Sequence, residues 1–430
     1  VTSLLLKGGR VVDPAQGLDD ALDVRIVDGR IAEVKPRLAA RGAETVELHG
    51  LVVAPGFVDL HTHLREPGRE DKETIATGTA AAARGGFTAV CAMPNTEPVN
   101  DHAAVTREIL ERAARDGVVR VYPIGAITKG SRGEELSEYG DLHEAGCVAV
   151  SDDGRPVGSA RVMRRALEYA RTFGLTVIDH CEDPSLFEGA VMNESPVATL
   201  LGLRGTPAAS EAMIVERDIL LAELTGGKVH IAHISAAASV EAVRRGKARG
   251  VAVTAEATPH HLLLNDTLVR DSRYDTATKM NPPLRSEADR LAVVEGIRDG
   301  TIDCIATDHA PHTIDDKRVE YDQAAFGIVG LETAVPLCLD RLVGAGLFDV
   351  GGLVRLLSTH PARVLGLPGG SLRPGEVGDV TVLDLDRKRK VDPERMASLG
   401  RNTPFAGWTL KGAVALTVVG GRVVWDDRKK

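Results

Sequence analysis

The chain has 430 residues, 43% of them hydrophobic, with a formal net charge of -9, an isoelectric point near 5.9 and a mean hydropathy of -0.05. That size and balance bury a large core, which excludes a disordered chain and points to one large domain with a satellite, or to two domains. No Lys/Arg block supplies the clustered cations a nucleic acid needs, no apolar run is long enough to cross a bilayer, and the first ten residues lack the pattern of a secretory leader; the expected partner is a small molecule and the expected location the cytoplasm.

In chain order, residues 4–47 read as short strands broken by Gly, Pro and Asp turns, for example 24–26 and 30–34. From residue 56 the texture changes to short β-branched apolar runs alternating with longer Ala/Leu/Glu/Arg segments of helical period, the pattern of βα units. The runs fall at 56–64, 87–95, 119–128, 147–153, 175–183, 228–236, 251–264 and 302–311. Helical stretches at 73–84, 104–115, 161–172, 211–224, 240–249 and 331–342 intervene or follow. Eight strands with crossovers fit a (β/α)8 TIM barrel, and counting alone leaves an open doubly wound sheet as the alternative. Residues 379–425 return to short strands such as 380–382 and 413–424. A closed barrel brings its ends together, so the expected α/β fold is a barrel over 55–365 with a small β-sandwich built from 1–54 and 366–430. The five cysteines, Cys91, Cys147, Cys181, Cys304 and Cys338, are odd in number and lie in apolar segments, as buried thiols of a reducing compartment do.

Polar residues collect at the carboxyl ends of the expected strands: His61, His63, Asn95, Asp153, His180, His233 and Asp308. Barrel enzymes build their sites there because eight loops converge on one mouth. His61 and His63 are two apart on a strand and share a face, and paired imidazoles inside a barrel suggest a metal. A lone strand histidine is more often a hydrogen-bonded core residue; it is the pair, with the further strand-end ligand types in barrel order, that points to a metal. For Asp153 the local reading is a turn residue in Asp152–Asp153–Gly154. Four histidines and two aspartates are a mixed nitrogen and oxygen set suited to zinc, with manganese, iron or cobalt open by the same donors. Six side chains exceed one tetrahedral ion; two ions about 3.5–4 Å apart would use all six and turn water into a nucleophile at neutral pH. Asp308 would then be the catalytic base.

The segments GFVDLHTHLREPG at 56–68, MPNT at 93–96, SDDG at 151–154, MNPPLR at 280–285 and ATDHAPH at 306–312 resemble those of bacterial dihydroorotases of the longer, allantoinase-like type, and the resemblance runs essentially end to end. It implies a first metal on His61, His63 and Asp308, a bridging carboxylate from Asp153 rather than Asp152, and a second metal on His180 and His233. Many relatives, hydantoinases and allantoinases among them, bridge with a carboxylated lysine where this chain has aspartate. The resemblance further implies that Arg65 and Asn95 hold a substrate carboxylate, joined by His63, Asn281, His312 and the backbone around Phe326 and Gly327. Arginine suits that task because its planar fork grips a carboxylate in two places. His260 and His261 read as supporting residues at the end of a strand; Lys129 and Lys279 lie near the expected mouth without a catalytic role. The implied reaction is reversible cyclisation of N-carbamoyl-L-aspartate to L-dihydroorotate in pyrimidine biosynthesis. A hydantoinase or allantoinase is the nearest rival and a non-catalytic scaffold the most distant. Some relatives associate with aspartate transcarbamoylase, and a homodimer is the ordinary expectation for such an enzyme.

Overall fold

The structure, a computed structural model, describes residues 3–428. β1 (Ser3–Asp13), β2 (Leu18–Val27) and β3 (Arg30–Lys35) form an antiparallel meander, and β4 (Glu44–Glu47) and β5 (Val52–Pro55) run parallel to β1. Then follow β6 (Phe57–Thr62), β7 (Phe87–Ala92), β8 (Arg120–Pro123), β9 (Ala149–Ser151) and β10 (Thr176–Asp179), a side pair β11 (Met192–Asn193) and β12 (Gly205–Thr206), and β13 (Lys228–Ile231), β14 (Val253–Ala257) and β15 (Cys304–Ile305). The chain ends in β16 (Val380–Lys390), β17 (Thr409–Val419) and β18 (Arg422–Asp426).

Parallel ladders join β6–β7–β8 and β9–β10–β13–β14–β15. The two sets meet through parallel bridges, Gly125 with Val150 on one side and Thr62 with His309 on the other, so eight strands close into a barrel and the open sheet is eliminated. Strands this short and this apolar, such as FTAVCA in β7, suit a parallel sheet buried on both faces. Helices cover the outside by ordinary amphipathic logic. In Ala160–Thr172 the buried Val162, Met163, Ala166, Leu167 and Ala170 form one stripe, and the Ser159 hydroxyl caps the start by accepting from Val162 N. That stripe packs with Val150, Val177 and Val229 of the barrel wall in one core.

Two expected elements differ. The strand expected over 251–264 stops at Ala257, because Thr258 and Pro259 form a helix start: the threonine hydroxyl accepts from His261 N and proline takes the first turn of Pro259–Leu263. His260 and His261 therefore stand on a helical turn, not at a strand end. The helix expected over 331–342 begins at Ala334 and continues past Cys338 as a wider π-type turn, Leu339–Val343.

Strands from both termini share one sheet, ordered β18-β17-β16-β5-β1-β2-β3 with β4 on β1. β5 is the seam: Val53 pairs with Val11 of β1 and with Val382 of β16. Leu6, Val24, Ile26, Val53, Val382 and Leu416 belong to one separate core, so the sheet encloses an interior of its own. Between β16 and β17 the chain leaves this sheet and packs Val391 and Phe405, with Leu410 at the start of β17, against Leu264, Leu284 and Leu337 on the barrel side. Among the described residues no helix is long and apolar enough to cross a membrane.

Candidate metal centre and substrate pocket

Two-residue alternation puts Asp59, His61 and His63 on the inner face of the barrel. His61 is fully buried, and its Nδ1–H donates to Glu256 Oε1 on β14 at 2.8 Å; the other Glu256 oxygen lies 3.2 Å from His230 Nε2 on β13. With Nδ1 engaged, His61 Nε2 faces the mouth, 3.2 Å from Asp153 Oδ1 and 3.4 Å from Asp308 Oδ1. His63 repeats the arrangement: Nδ1–H donates to Asn95 Oδ1 at 2.8 Å, leaving Nε2 3.1 Å from Asp308 Oδ1 and 3.4 Å from Asp153 Oδ2. His180 Nδ1 lies 2.9 Å from His233 Nε2, and these two atoms stand 3.7 and 3.5 Å from Asp153 Oδ1. The six residues singled out in the sequence, far apart in the chain, thus meet in one cluster.

The two neighbouring aspartates stand in different surroundings. Asp152 points away and accepts from the Thr128 amide at 3.0 Å and from the Thr128 hydroxyl, while the Asp153 carboxylate stands among the imidazoles. Arg65, His233 and Asp308 have φ of 61°, 31° and 45°, a left-handed backbone that costs about 1–3 kcal/mol per residue and persists where surrounding structure enforces it. Burial pushes the Asp308 and Asp153 carboxyls up, but the nearby imidazoles, His61 foremost, outweigh it and hold both below the usual carboxylate range.

The cluster passes a chemical test for a metal. His61 Nε2, His233 Nδ1 and Asp153 Oδ1 are buried without a well-formed hydrogen bond, which is costly for polar atoms unless something else engages them. Donor atoms of His61, His63 and Asp308 lie within 4.8 Å of one another, as do those of His61, Asp153 and His233. Converging imidazole nitrogens and carboxylate oxygens are what zinc and similar dications take.

Above the cluster is a cavity of about 240 Å³ whose wall includes Arg65, Asn95, Asn281, His312 and Phe326. The Arg65 Nε donates to Pro311 O at 3.3 Å, and burial lowers its guanidinium only to about 10, so it stays cationic at neutral pH. Lys72 Nζ donates to His312 Nδ1 at 3.2 Å, so His312 carries its proton on Nε2 and donates it to Phe326 O at 2.7 Å. Burial, then the Arg65 and Lys72 charges, push His312 down to about 2, which makes it a neutral imidazole. Asn281 donates towards His180 Nε2 and Glu182, and its buried Oδ1 is unpartnered. Gly327 is the exception: it stands behind the wall, its N–H committed to Lys279 O and its carbonyl to Asn402.

The remaining sequence candidates take supporting positions. His261 bridges the Thr258 hydroxyl and Pro282 O, next to Asn281, and His260 is buried with Nε2 unpartnered. Lys129 is exposed and pairs with Glu135; Lys279 lies behind Phe326, its Nζ 4.5 Å from the ring centroid. Sequence reasoning missed Glu256, Asp59, Glu73 and Lys72. Asp59 accepts from Thr307 N and Oγ1 and so ties β6 to the chain just before Asp308. Glu256 in VTAEA and Asp59 in FVDLHT are carboxylates inside largely buried strands, a signal that could have found them.

Known proteins resemble this chain along most of its length. The model of the Dihydro-orotase-like family matches residues 50–239, and that of the Amidohydrolase family residues 220–425. The dihydroorotase of Pelotomaculum thermopropionicum is 57% identical over 425 residues, covering 99% of both chains, and that of Anaeromyxobacter sp. strain K is 56% identical, covering 99% of this chain and 98% of its own. Among solved structures, the L-hydantoinase (dihydropyrimidinase) of Arthrobacter aurescens aligns with a TM-score of 0.90 at 25% identity, over 99% of this chain and 96% of that one. The dihydropyrimidinase of Brevibacillus agri, at 20% identity and a TM-score of 0.85, shares the fold. Identity above one half along nearly the whole length fixes the family where the fold alone spans several activities: this chain belongs to the dihydroorotases, metal-dependent cyclic amidohydrolases.

Proposed function

We propose that the enzyme interconverts N-carbamoyl-L-aspartate and L-dihydroorotate plus water, the ring-closing reaction of pyrimidine biosynthesis, with the residue roles that follow. One observation carries the substrate assignment: a cationic Arg65 in the wall of a cavity whose floor is the imidazole–carboxylate cluster. Dihydroorotate carries a carboxylate beside its cyclic amide, whereas hydantoins need no such grip. Arg65 and Asn95 hold that carboxylate, with His312, Asn281 and the backbone at Phe326 completing the contacts and fixing which face of the ring meets the cluster.

His61, His63 and Asp308 would hold one zinc ion and His180 and His233 a second, with Asp153 between them. When bound, the metal supplies a Lewis acid for the ring carbonyl and lowers the pKa of water towards neutrality. Asp308 receives the proton released as water adds to the ring carbonyl carbon, and delivers it to the ring nitrogen as the C–N bond breaks. In the closing direction the reacting carboxyl enters as its acid, Asp308 takes the proton from the ureido nitrogen and returns it to the departing hydroxyl, so that water leaves. His63 Nε2 and Asp308 Oδ1 stand 3.1 Å apart, so the two would hold the ion together.

Three further readings are proposed: a homodimer, the ordinary state of such an enzyme; association with aspartate transcarbamoylase, as in some relatives; and a division of the chain at about residues 54 and 365, where the short-strand texture of both ends gives way to βα units. A cytoplasmic location is supported by five free, buried cysteines. The test is an assay of purified protein, with metal analysis of the same sample, on carbamoyl aspartate and dihydroorotate beside hydantoin and allantoin. Turnover of the first pair alone is expected; preferential turnover of hydantoin or allantoin overturns the reading.

A further inference from the structure

The chain between β16 and β17 does more than connect two strands. Asn402, 6% exposed, uses its whole side chain on the loops that form the upper wall of the pocket. Its Nδ2 donates to Ala310 O at 2.9 Å and to Gly327 O at 3.0 Å, and its Oδ1 accepts from His312 N at 3.1 Å; its own carbonyl accepts from Val329 N at 3.0 Å. One amide thereby clamps the loop carrying His312 to the loop carrying Phe326. Two residues earlier, Gly400 lies so close to the first loop that a Cβ there would sit 2.6 Å from Pro311 Cβ and 2.9 Å from Pro311 Cα. Pro311 is the residue whose carbonyl receives Arg65 Nε. The same segment is anchored upstream, where Glu73 accepts from the Ser398 hydroxyl and from Leu399 N at 3.1 Å while lying 3.1 Å from His309 Nε2.

We infer that residues 398–402, supplied by the carboxyl-terminal part of the chain, are a strap that completes the carboxylate-binding wall, with Asn402 and Gly400 as positioning residues for Arg65 and His312. Neither touches substrate or metal. Their effect passes through the backbone of Ala310–His312 and Phe326–Gly327, so it falls on recognition of the carboxylate and leaves the metal cluster alone. The inference rests on the proposed substrate.

The test compares metal-loaded wild type, Asn402→Ala and Gly400→Ala in L-dihydroorotate hydrolysis, with competitive inhibition by orotate, which has the carboxylate, and by dihydrouracil, which lacks it. Asn402→Ala is expected to raise KM and the orotate inhibition constant by about tenfold, and Gly400→Ala by about threefold, with kcat within about threefold. Metal content and dihydrouracil inhibition stay at the wild-type level. A purely structural lesion weakens both inhibitors alike or strips the metal; either result, or an unchanged KM in both variants, overturns the inference. If Asn402→Ala yields no folded protein, Gly400→Ala decides by the same readouts. Wild-type protein that does not turn over L-dihydroorotate removes the functional reading and this inference with it.

Discussion

On the floor of the pocket the imidazoles and carboxylates stand at or just beyond the ends of β6, β9, β10, β13 and β15, where ladder hydrogen bonds fix the backbone. On the upper wall Arg65, Asn281, His312 and Phe326 stand on loops, which have no ladder and are held from outside by Lys72, Lys279 and Asn402. One mouth is thus supported by two unrelated devices. Defects in the first should reach metal and turnover, whereas defects in the second should reach substrate affinity.

The largest effect is expected from Asp308→Asn, which keeps the shape and removes the base: kcat should fall by about 10²–10⁴-fold with metal content preserved, read by steady-state kinetics beside elemental analysis. Near-normal turnover in this variant would take Asp308 out of its role. On the opposite wall, Arg65→Ala should raise KM for dihydroorotate by about 10–100-fold, the equivalent of losing ~1.5–3 kcal/mol of charge-assisted hydrogen bonding, with the metal untouched. Metal loss in that variant would merge the two walls into one device. Glu256→Gln probes the support under the floor. Chelator competition should reveal metal held about tenfold more weakly, as for other carboxylates that orient a ligating histidine; unchanged affinity would leave the His61–Glu256 contact a packing feature. Smallest in its effect on catalysis is Leu167→Ala, outside the barrel wall. It should cost about 2–5 kcal/mol of stability in denaturant unfolding and leave KM unaltered.

Much of this was legible in the sequence because barrel strands carry their signal locally. The β-branched runs mark the strands, and His61, His63, His180, His233 and Asp308 fall at or just past their ends, so their convergence follows once the barrel closes. Asp153 was not decidable from spacing, since Asp152 has the same neighbours; what separates them is the Thr128 amide and hydroxyl, which come from the loop after β8. His260 and His261 were placed at a strand end because the Thr–Pro helix start inside that apolar run was passed over. Asn402 carried no signal at all. It lies 90 residues from His312 in sequence and works by hydrogen bonds to backbone, whose partners no side-chain pattern announces.

The central claim is that the six residues of the floor hold the metal that the reaction needs. A crystal of the zinc-loaded protein, measured at the zinc absorption edge, tests it directly. Two anomalous peaks enclosed by His61, His63, Asp153, His180, His233 and Asp308 are expected; zinc bound elsewhere, with no peak among these six, would contradict the account.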